Sequence, residues 1–271
     1  MSNPNAPYRS PWMHDTPPFE IVPGVYYVGN KNVSCHLFDT GEGLLLLDTA
    51  YLETTYLLTE SIRDLGFDPH DIKWIVHTHA HYDHFGGTRA LVEKYGCKTY
   101  MPAIDLPFMQ SADWTYCEAA GLPYEPPFDL YFETDVALHP GDVVNFGNIA
   151  MHCYDASGHT PGTMAYIFHM PSGLKVGMHG GIGPNTLTSE YSLSHNLGNT
   201  WRDAYGKTIK RLRGLEVDVI LGNHPNQTET FRKIAEKTSD HNPFIDPTEW
   251  ERMLDGCEDR LAKIVAEDPI P

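Results

Sequence analysis

Residues 77–87 read HTHAHYDHFGG, with four histidines and an aspartate inside eight positions. His79 and His81 are two apart. A helix would point them in different directions, whereas a loop leaving a strand lets both face one point. The strand is present, because KWIVH (73–77) is a short, partly β-branched apolar run that leads directly into the cluster. Two later segments repeat the arrangement. SGHTPGT (157–163) carries His159 and LGNHPNQ (221–227) carries His224, each on a glycine-bearing exit from a strand. The carboxyl ends of strands are the usual place for sites in α/β folds, so these exits, distant in sequence, are expected at one edge.

Neutral imidazole together with carboxylate suits zinc. A catalytic zinc takes about three protein ligands and keeps one position open. His79, His81, Asp83 and His84 are too many for one such site and too few for two. His159 and His224 raise the set to six, enough for two three-ligand sites. His77 is read as part of the strand. His152, His169 and His241 are read as ordinary polar residues near strand ends and loops.

The segments around these loops alternate between strands and helices. VYYVG (25–29), SCHLFDT (34–40) and GLLLLDT (43–49) read as strands separated by turns. Leu58, Ile62 and Leu65 share one face of a helix expected over 52–65, with Gly66 at its stop. A second helix is expected over 87–95, ending at Gly96. Residues 102–135 read as a long irregular segment rich in proline and aromatics. Strands resume at 149–155, 163–169 and 174–178. A helix over 201–213, a strand over 217–222 and a helix over 248–266 follow. Trp250, Met253, Leu254, Cys257, Leu261 and Ile264 form the apolar stripe of that last helix. The order suggests two similar halves, and two sheets packed face to face with helices outside would bury these runs. Residues 1–19, with five prolines, read as an extended arm, and 20–271 as one domain.

The formal charge is −17, from 36 acidic and 19 basic residues, which argues against a nucleic-acid partner. No run of eighteen apolar residues exists, so no membrane partner is expected. Cys35, Cys97, Cys117, Cys153 and Cys257 form no CxxC pair, and their odd number argues for reduced thiols. With no apolar signal segment near the start, the expected location is the cytoplasm.

At HAHYDH (79–84), the preceding Thr78, GHTPG (158–162) and LLLLDT with Asp48, the chain resembles the metallo-β-lactamase fold superfamily. NHP (223–225), NPFIDPTEWERML (242–254) and PFEIVPGVYYVGNKNVSCHLFDTGEGLLLLDTA (18–50) are similar to the third subclass of true metallo-β-lactamases. The likeness runs over roughly residues 18–266. It implies an αββα sandwich, two packed mixed β-sheets flanked by helices. It implies two zinc ions per chain, although iron or manganese would suit the same donors. His79, His81 and His159 would hold the first ion, and Asp83, His84 and His224 the second. Asp48 and Thr78 would steady the histidine loop from behind.

The chain departs from the wider superfamily at Gly181, which stands where most of its hydrolases place a metal-bridging aspartate. The third subclass also lacks a ligand there. It departs from the third subclass over 181–186, where Gly181, Ile182, Gly183, Pro184, Asn185 and Thr186 replace serines that grip a drug's carboxylate. Asn185 or Thr186 are the candidates to substitute for them. Tyr191, His195 and Asn196 are candidates to line the pocket, and Trp114 and Tyr116 to form an apolar wall. His179 has three readings, as a further ligand, a proton shuttle or a plain loop residue.

The expected activity is hydrolysis of a small-molecule amide of the β-lactam type by metal-activated water, with Asp83 as catalytic residue. A lactonase or esterase on the same scaffold is the alternative, as is a metal-binding protein without catalysis. Phosphodiester cleavage fits the acidic surface poorly. Redox di-iron relatives replace one histidine of the motif by glutamate, which Ala80-His81 does not match.

Overall fold

The computed structural model describes residues 9–110 and 130–271. The first twelve-odd residues described include a 3-10 turn at Pro11–His14, and the first strand begins at Phe19, where the arm was expected to end. Seven strands form one sheet in chain order: β1 (Phe19–Val22), β2 (Val25–Tyr27), β3 (His36–Asp39), β4 (Leu44–Leu47), β5 (Ile72–Val76), β6 (Lys98–Pro102) and β7 (Val136–Leu138). Pairing is antiparallel from β1 to β4 and parallel from β4 to β7. Five strands form the other sheet: β8 (Val143–Phe146), β9 (Ile149–Asp155), β10 (Met164–His169), β11 (Lys175–His179) and β12 (Val219–Leu221). There β8 to β11 are antiparallel and β11 pairs parallel with β12.

The run Leu44–Leu47 shows how an all-apolar strand serves two layers. Successive side chains of a strand point to opposite faces. Leu45 and Leu47 pack into the cluster between the sheets, against residues such as Met151, Tyr166 and Phe168. Leu44 and Leu46 pack outward with Leu58 and Ile62 of α1 (Thr55–Asp64) and Leu91 of α3 (Thr88–Tyr95). Between these two helices lies the four-residue α2 (Tyr82–Phe85). On the far side, Ala165, Ile167 and Ile220 of the second sheet pack against two helices. Tyr205 and Ile209 come from α6 (Thr200–Leu212), and Trp250, Leu254 and Cys257 from α8 (Glu249–Glu267). The result is four layers, helix, sheet, sheet, helix, as expected. The remaining short helices are α4 (Leu106–Gln110), α5 (Ser189–Ser194) and α7 (Thr230–Glu236).

The expected helices and strands form within one or two residues of their predicted ends, except that the helix expected from 52 opens with a 3-10 turn (Leu52–Thr54) and becomes α1 at Thr55. Four strands, β1, β6, β7 and β8, lie where none was expected, and α4 begins inside the segment read as irregular. No helix among the described residues is long and apolar enough to cross a membrane.

Candidate metal centre

Parallel strands β4, β5 and β6 end at one edge, and each releases a polar group there. Asp48 follows β4, the histidine loop follows β5, and Asp105 follows β6 in a 3-10 turn (Ala103–Asp105). The second sheet brings its own exits to the same edge. His159 lies between β9 and β10, Gly180 to Gly183 follow β11, and His224 follows β12. A backbone bond from Met164 N–H to Thr78 O (3.1 Å) stitches the two edges together, and Gly180 N–H bonds Met164 O (2.9 Å) within the second sheet.

Two groups of side chains meet there. One ligand atom from each of His79, His81 and His159 lies within 4.8 Å of the others, and the same holds for Asp83, His84 and His224. The groups are neighbours, with the His79 and His84 rings 4.4 Å apart between centroids. Asp83 Oδ2 is 3.5 Å from both His84 Nε2 and His224 Nε2. This is the pairing of residues that the resemblance implied.

Each imidazole is aimed by a bond at its other nitrogen. His84 Nδ1–H donates to Asp48 Oδ2 at 2.9 Å, His159 Nδ1–H to the Gly183 carbonyl at 2.9 Å, and His224 Nδ1–H to the Asn32 carbonyl at 2.7 Å. Thr78 Oγ1–H donates to Asp48 Oδ2 at 2.8 Å, so its oxygen is left to accept from His79 Nδ1–H at 3.0 Å. In these four rings Nε2 keeps its lone pair for a ligand. In His81 it is Nδ1 that faces His79 Nε2, at 3.0 Å. Burial, followed by the neighbouring imidazoles, holds His79 and His81 well below the ordinary histidine range. Burial pushes His159 down to about 3 and lowers His224. For His84 burial pulls downward, but the Asp83 and Asp48 carboxylates outweigh it and the net shift is upward.

A divalent cation fits this donor set. The aimed rings keep Nε2 lone pairs as donors, and Asp83 Oδ1 is a buried carboxylate oxygen without a hydrogen-bond partner among the described residues.

Asp48 has the place predicted for it. It adopts φ 59°, and its Oδ1 accepts from Thr78 N–H at 2.8 Å, so one carboxylate holds both Thr78 and His84. Asp105 was not anticipated. Fully buried, it accepts from Ala80 N–H (2.9 Å), Thr160 Oγ1–H (2.7 Å) and Gly162 N–H (2.6 Å). It therefore ties the HAH loop to the GHTPG loop. Burial pushes its carboxyl up to about 6, against the pull of these donors. The signal was a lone aspartate just after an apolar strand, the pattern Asp48 also shows. The strand β6 had not been read, so the pattern was hidden.

The substrate-side expectations fare differently. Thr186 is fully buried and donates to the His159 carbonyl at 2.8 Å, so it braces a ligand and is removed from the pocket wall. His179 is a buried strand-end residue; its Nδ1 accepts from Gly181 N–H at 3.3 Å and its ring lies 6.4 Å from that of Trp250. It belongs to neither ligand group. Tyr191 and His195 stack on each other at 4.1 Å along α5. Neither lines the cleft at the centre, and Asn196, exposed just beyond that helix, does not line it either. Asn185 is exposed next to Pro184 at the cleft margin. Trp114 and Tyr116 lie outside the described residues. Gly181 has no room for any side chain, because a Cβ there would sit 2.6 Å from His159 Cδ2. His77 is held away from the centre by Tyr100 O (2.9 Å) and Thr88 Oγ1 (2.7 Å), as its strand reading requires.

A cleft of ≈ 670 Å³ opens beside the centre, reaching His224 and Gly183. Four layers with two ligand triads at the shared edge of two sheets define a metal-binding hydrolase. The chain belongs to the metallo-beta-lactamase superfamily, whose family model matches residues 28–224. Among solved structures it is similar to BJP-1, a subclass B3 metallo-beta-lactamase of Bradyrhizobium japonicum. That similarity has 27% identity and a TM-score of 0.82, covering 94% of this chain and 96% of that one. Curated relatives match over shorter stretches. An uncharacterised protein of Aquifex aeolicus is 28% identical over 50% of this chain, and a hydroxyacylglutathione hydrolase of Anaeromyxobacter dehalogenans 30% identical over 34%. The chain spans 59% and 27% of the lengths of these two relatives.

Proposed function

We propose that this chain hydrolyses a small-molecule amide of the β-lactam type at a two-zinc centre. The observation that carries the reading is the pair of three-residue ligand groups, side by side and opening on one cleft. When bound, zinc brings the pKa of a coordinated water from 15.7 toward about 7 and polarises a carbonyl oxygen. His79, His81 and His159 would hold one ion and Asp83, His84 and His224 the other. The chain's own part is to fix these groups and to handle the proton. Asp83 faces its two histidines through Oδ2, which leaves Oδ1 to orient the attacking water and take its proton. No serine or cysteine nucleophile is needed.

Ester, lactone or thioester hydrolysis is the second reading, supported by the partial likeness to a hydroxyacylglutathione hydrolase. Esters and amides share a tetrahedral intermediate, so the same ligands serve both. Buried free thiols at Cys35, Cys97, Cys153 and Cys257 support action in the cytoplasm, and the −17 charge supports a partner other than nucleic acid.

The test is a screen of metal-loaded protein against a chromogenic cephalosporin, lactones and thioesters, with metal content measured in parallel. Cephalosporin turnover that is lost in Asp83→Ala supports the first reading. Turnover of lactones or thioesters alone selects the second. Full activity after loss of Asp83 would overturn the role given to that residue. Metal bound at the six ligands without any turnover would leave a binding protein.

A further inference from the structure

The cleft beside the centre has an electrostatic character opposite to that of the whole chain. Its wall contains Lys31 and Arg260 and no aspartate or glutamate, in a protein with 36 acidic and 19 basic residues. Many cations elsewhere are neutralised. Arg202 pairs with Asp268, Arg211 with Asp155, and Arg213 with Glu251, Asp255 and Glu258. No carboxylate among the described residues lies within ion-pair distance of Lys31 or Arg260. Lys31 Nζ donates to the Met13 carbonyl at 3.4 Å, and Arg260 donates through one nitrogen to Cys257 Sγ at 3.2 Å, a soft neutral acceptor.

Both cations are carried by supported backbone. Arg260 rises from α8 one turn after the buried Cys257. Lys31 N–H bonds the His14 carbonyl at 2.8 Å, and the next residue, Asn32, supplies the carbonyl that aims His224. The cleft also contains Gly183, whose carbonyl aims His159. A molecule in it therefore lies beside His224 and beside the residue that aims His159. The loop 180–186 offers an anion little, since Gly181 admits no side chain and Thr186 is turned inward.

We infer that Lys31 and Arg260 together grip a carboxylate on the substrate, which makes the substrate an acidic small molecule. The guanidinium presents paired N–H donors that match a carboxylate, and the ammonium adds a point charge. The assignment rests on the hydrolase reading above for the fate of the substrate, while the grip itself is a binding property.

The test separates the two. Zinc-loaded protein is titrated calorimetrically with N-benzoylglycine and with its neutral amide, N-benzoylglycinamide. The same titrations are made on Arg260→Met and Lys31→Met, which keep the apolar stems. The acid should bind more tightly than the amide, each variant should weaken the acid about tenfold, and the amide should be unaffected. Added salt should weaken the acid only. In turnover, each variant should raise KM for a cephalosporin free acid and leave KM for its methyl ester unchanged. Acid and amide binding equally, or variants that bind the acid like wild type, would overturn the grip. If the acid preference holds and vanishes in the variants while no probe is hydrolysed, the grip stands and the hydrolase reading falls.

Discussion

Replacing Asp105 by alanine tests the idea that the two ligand-bearing loops are held by one buried carboxylate. The substitution leaves Ala80 N–H, Gly162 N–H and Thr160 Oγ1–H without their acceptor in a fully buried place. At about 2 kcal/mol for each stranded donor the gross loss is about 6 kcal/mol. Part is returned, because the carboxyl is pushed up to about 6 from 3.8. At 1.36 kcal/mol per unit, holding it ionised at neutral pH costs roughly 3 kcal/mol. The expected net loss at pH 7.5 is therefore about 3 kcal/mol, a large share of the 5–15 kcal/mol that folds usually hold. The sign with pH follows. A folded value raised above the unfolded one contributes stability below pH 3.8 that is lost as pH rises through about 6. The gap between wild type and Asp105→Ala should thus widen as pH falls from 7.5 toward 5. Urea unfolding at each pH reads it, and competition with a chromophoric chelator reads zinc affinity, expected to drop about 10- to 100-fold. Thr160→Val should cost about 1 kcal/mol alone and much less in the Asp105→Ala background. A loss under about 1 kcal/mol with unchanged zinc affinity would refute the reasoning.

Gly181→Ala should displace the His159 ring, which a Cβ would approach to 2.6 Å, and lower zinc affinity about tenfold or more. Chelator competition checks this, and wild-type affinity would show that the ring can yield. For His36, burial holds the imidazole down to about 3 from 6.5. Its contribution is complete above pH 6.5 and is lost as pH falls toward 3, roughly 4 to 5 kcal/mol in full. His36→Leu should therefore lose stability less steeply than wild type between about pH 6 and 4 in urea titrations, and parallel profiles would count against it.

The six ligands were legible because each carries its own chemistry and sits on a strand exit marked by glycine. The outer helices were legible because stripes such as Trp250, Leu254 and Cys257 repeat at helical spacing. What escaped was structure defined by partners. β7 is three residues long, and β8 alternates exposed and partly buried positions at the sheet's edge, so each is a strand chiefly by virtue of its neighbour. With β6 unread, Asp105 looked like a loop residue. The carbonyls of Asn32 and Gly183 that aim two histidines belong to backbone, and no side chain announces them. Thr186 had the right chemistry for a pocket and the wrong direction, which a one-dimensional reading does not contain. Lys31 and Arg260 stand far apart in the chain, and only the fold puts them on one wall.

The stitching of the two sheets at their shared edge has a mechanical consequence. The first group takes His79 and His81 from the seven-stranded sheet and His159 from the five-stranded one, and the second takes Asp83 and His84 from one and His224 from the other. Since β1 to β7 all precede β8 in the chain, the centre joins the first half of the polypeptide to the second. An ion bound there works as a removable rivet across the sandwich. Cut between β7 and β8, at the exposed Gly141, the two pieces should reassemble on addition of metal and separate more readily under a chelator.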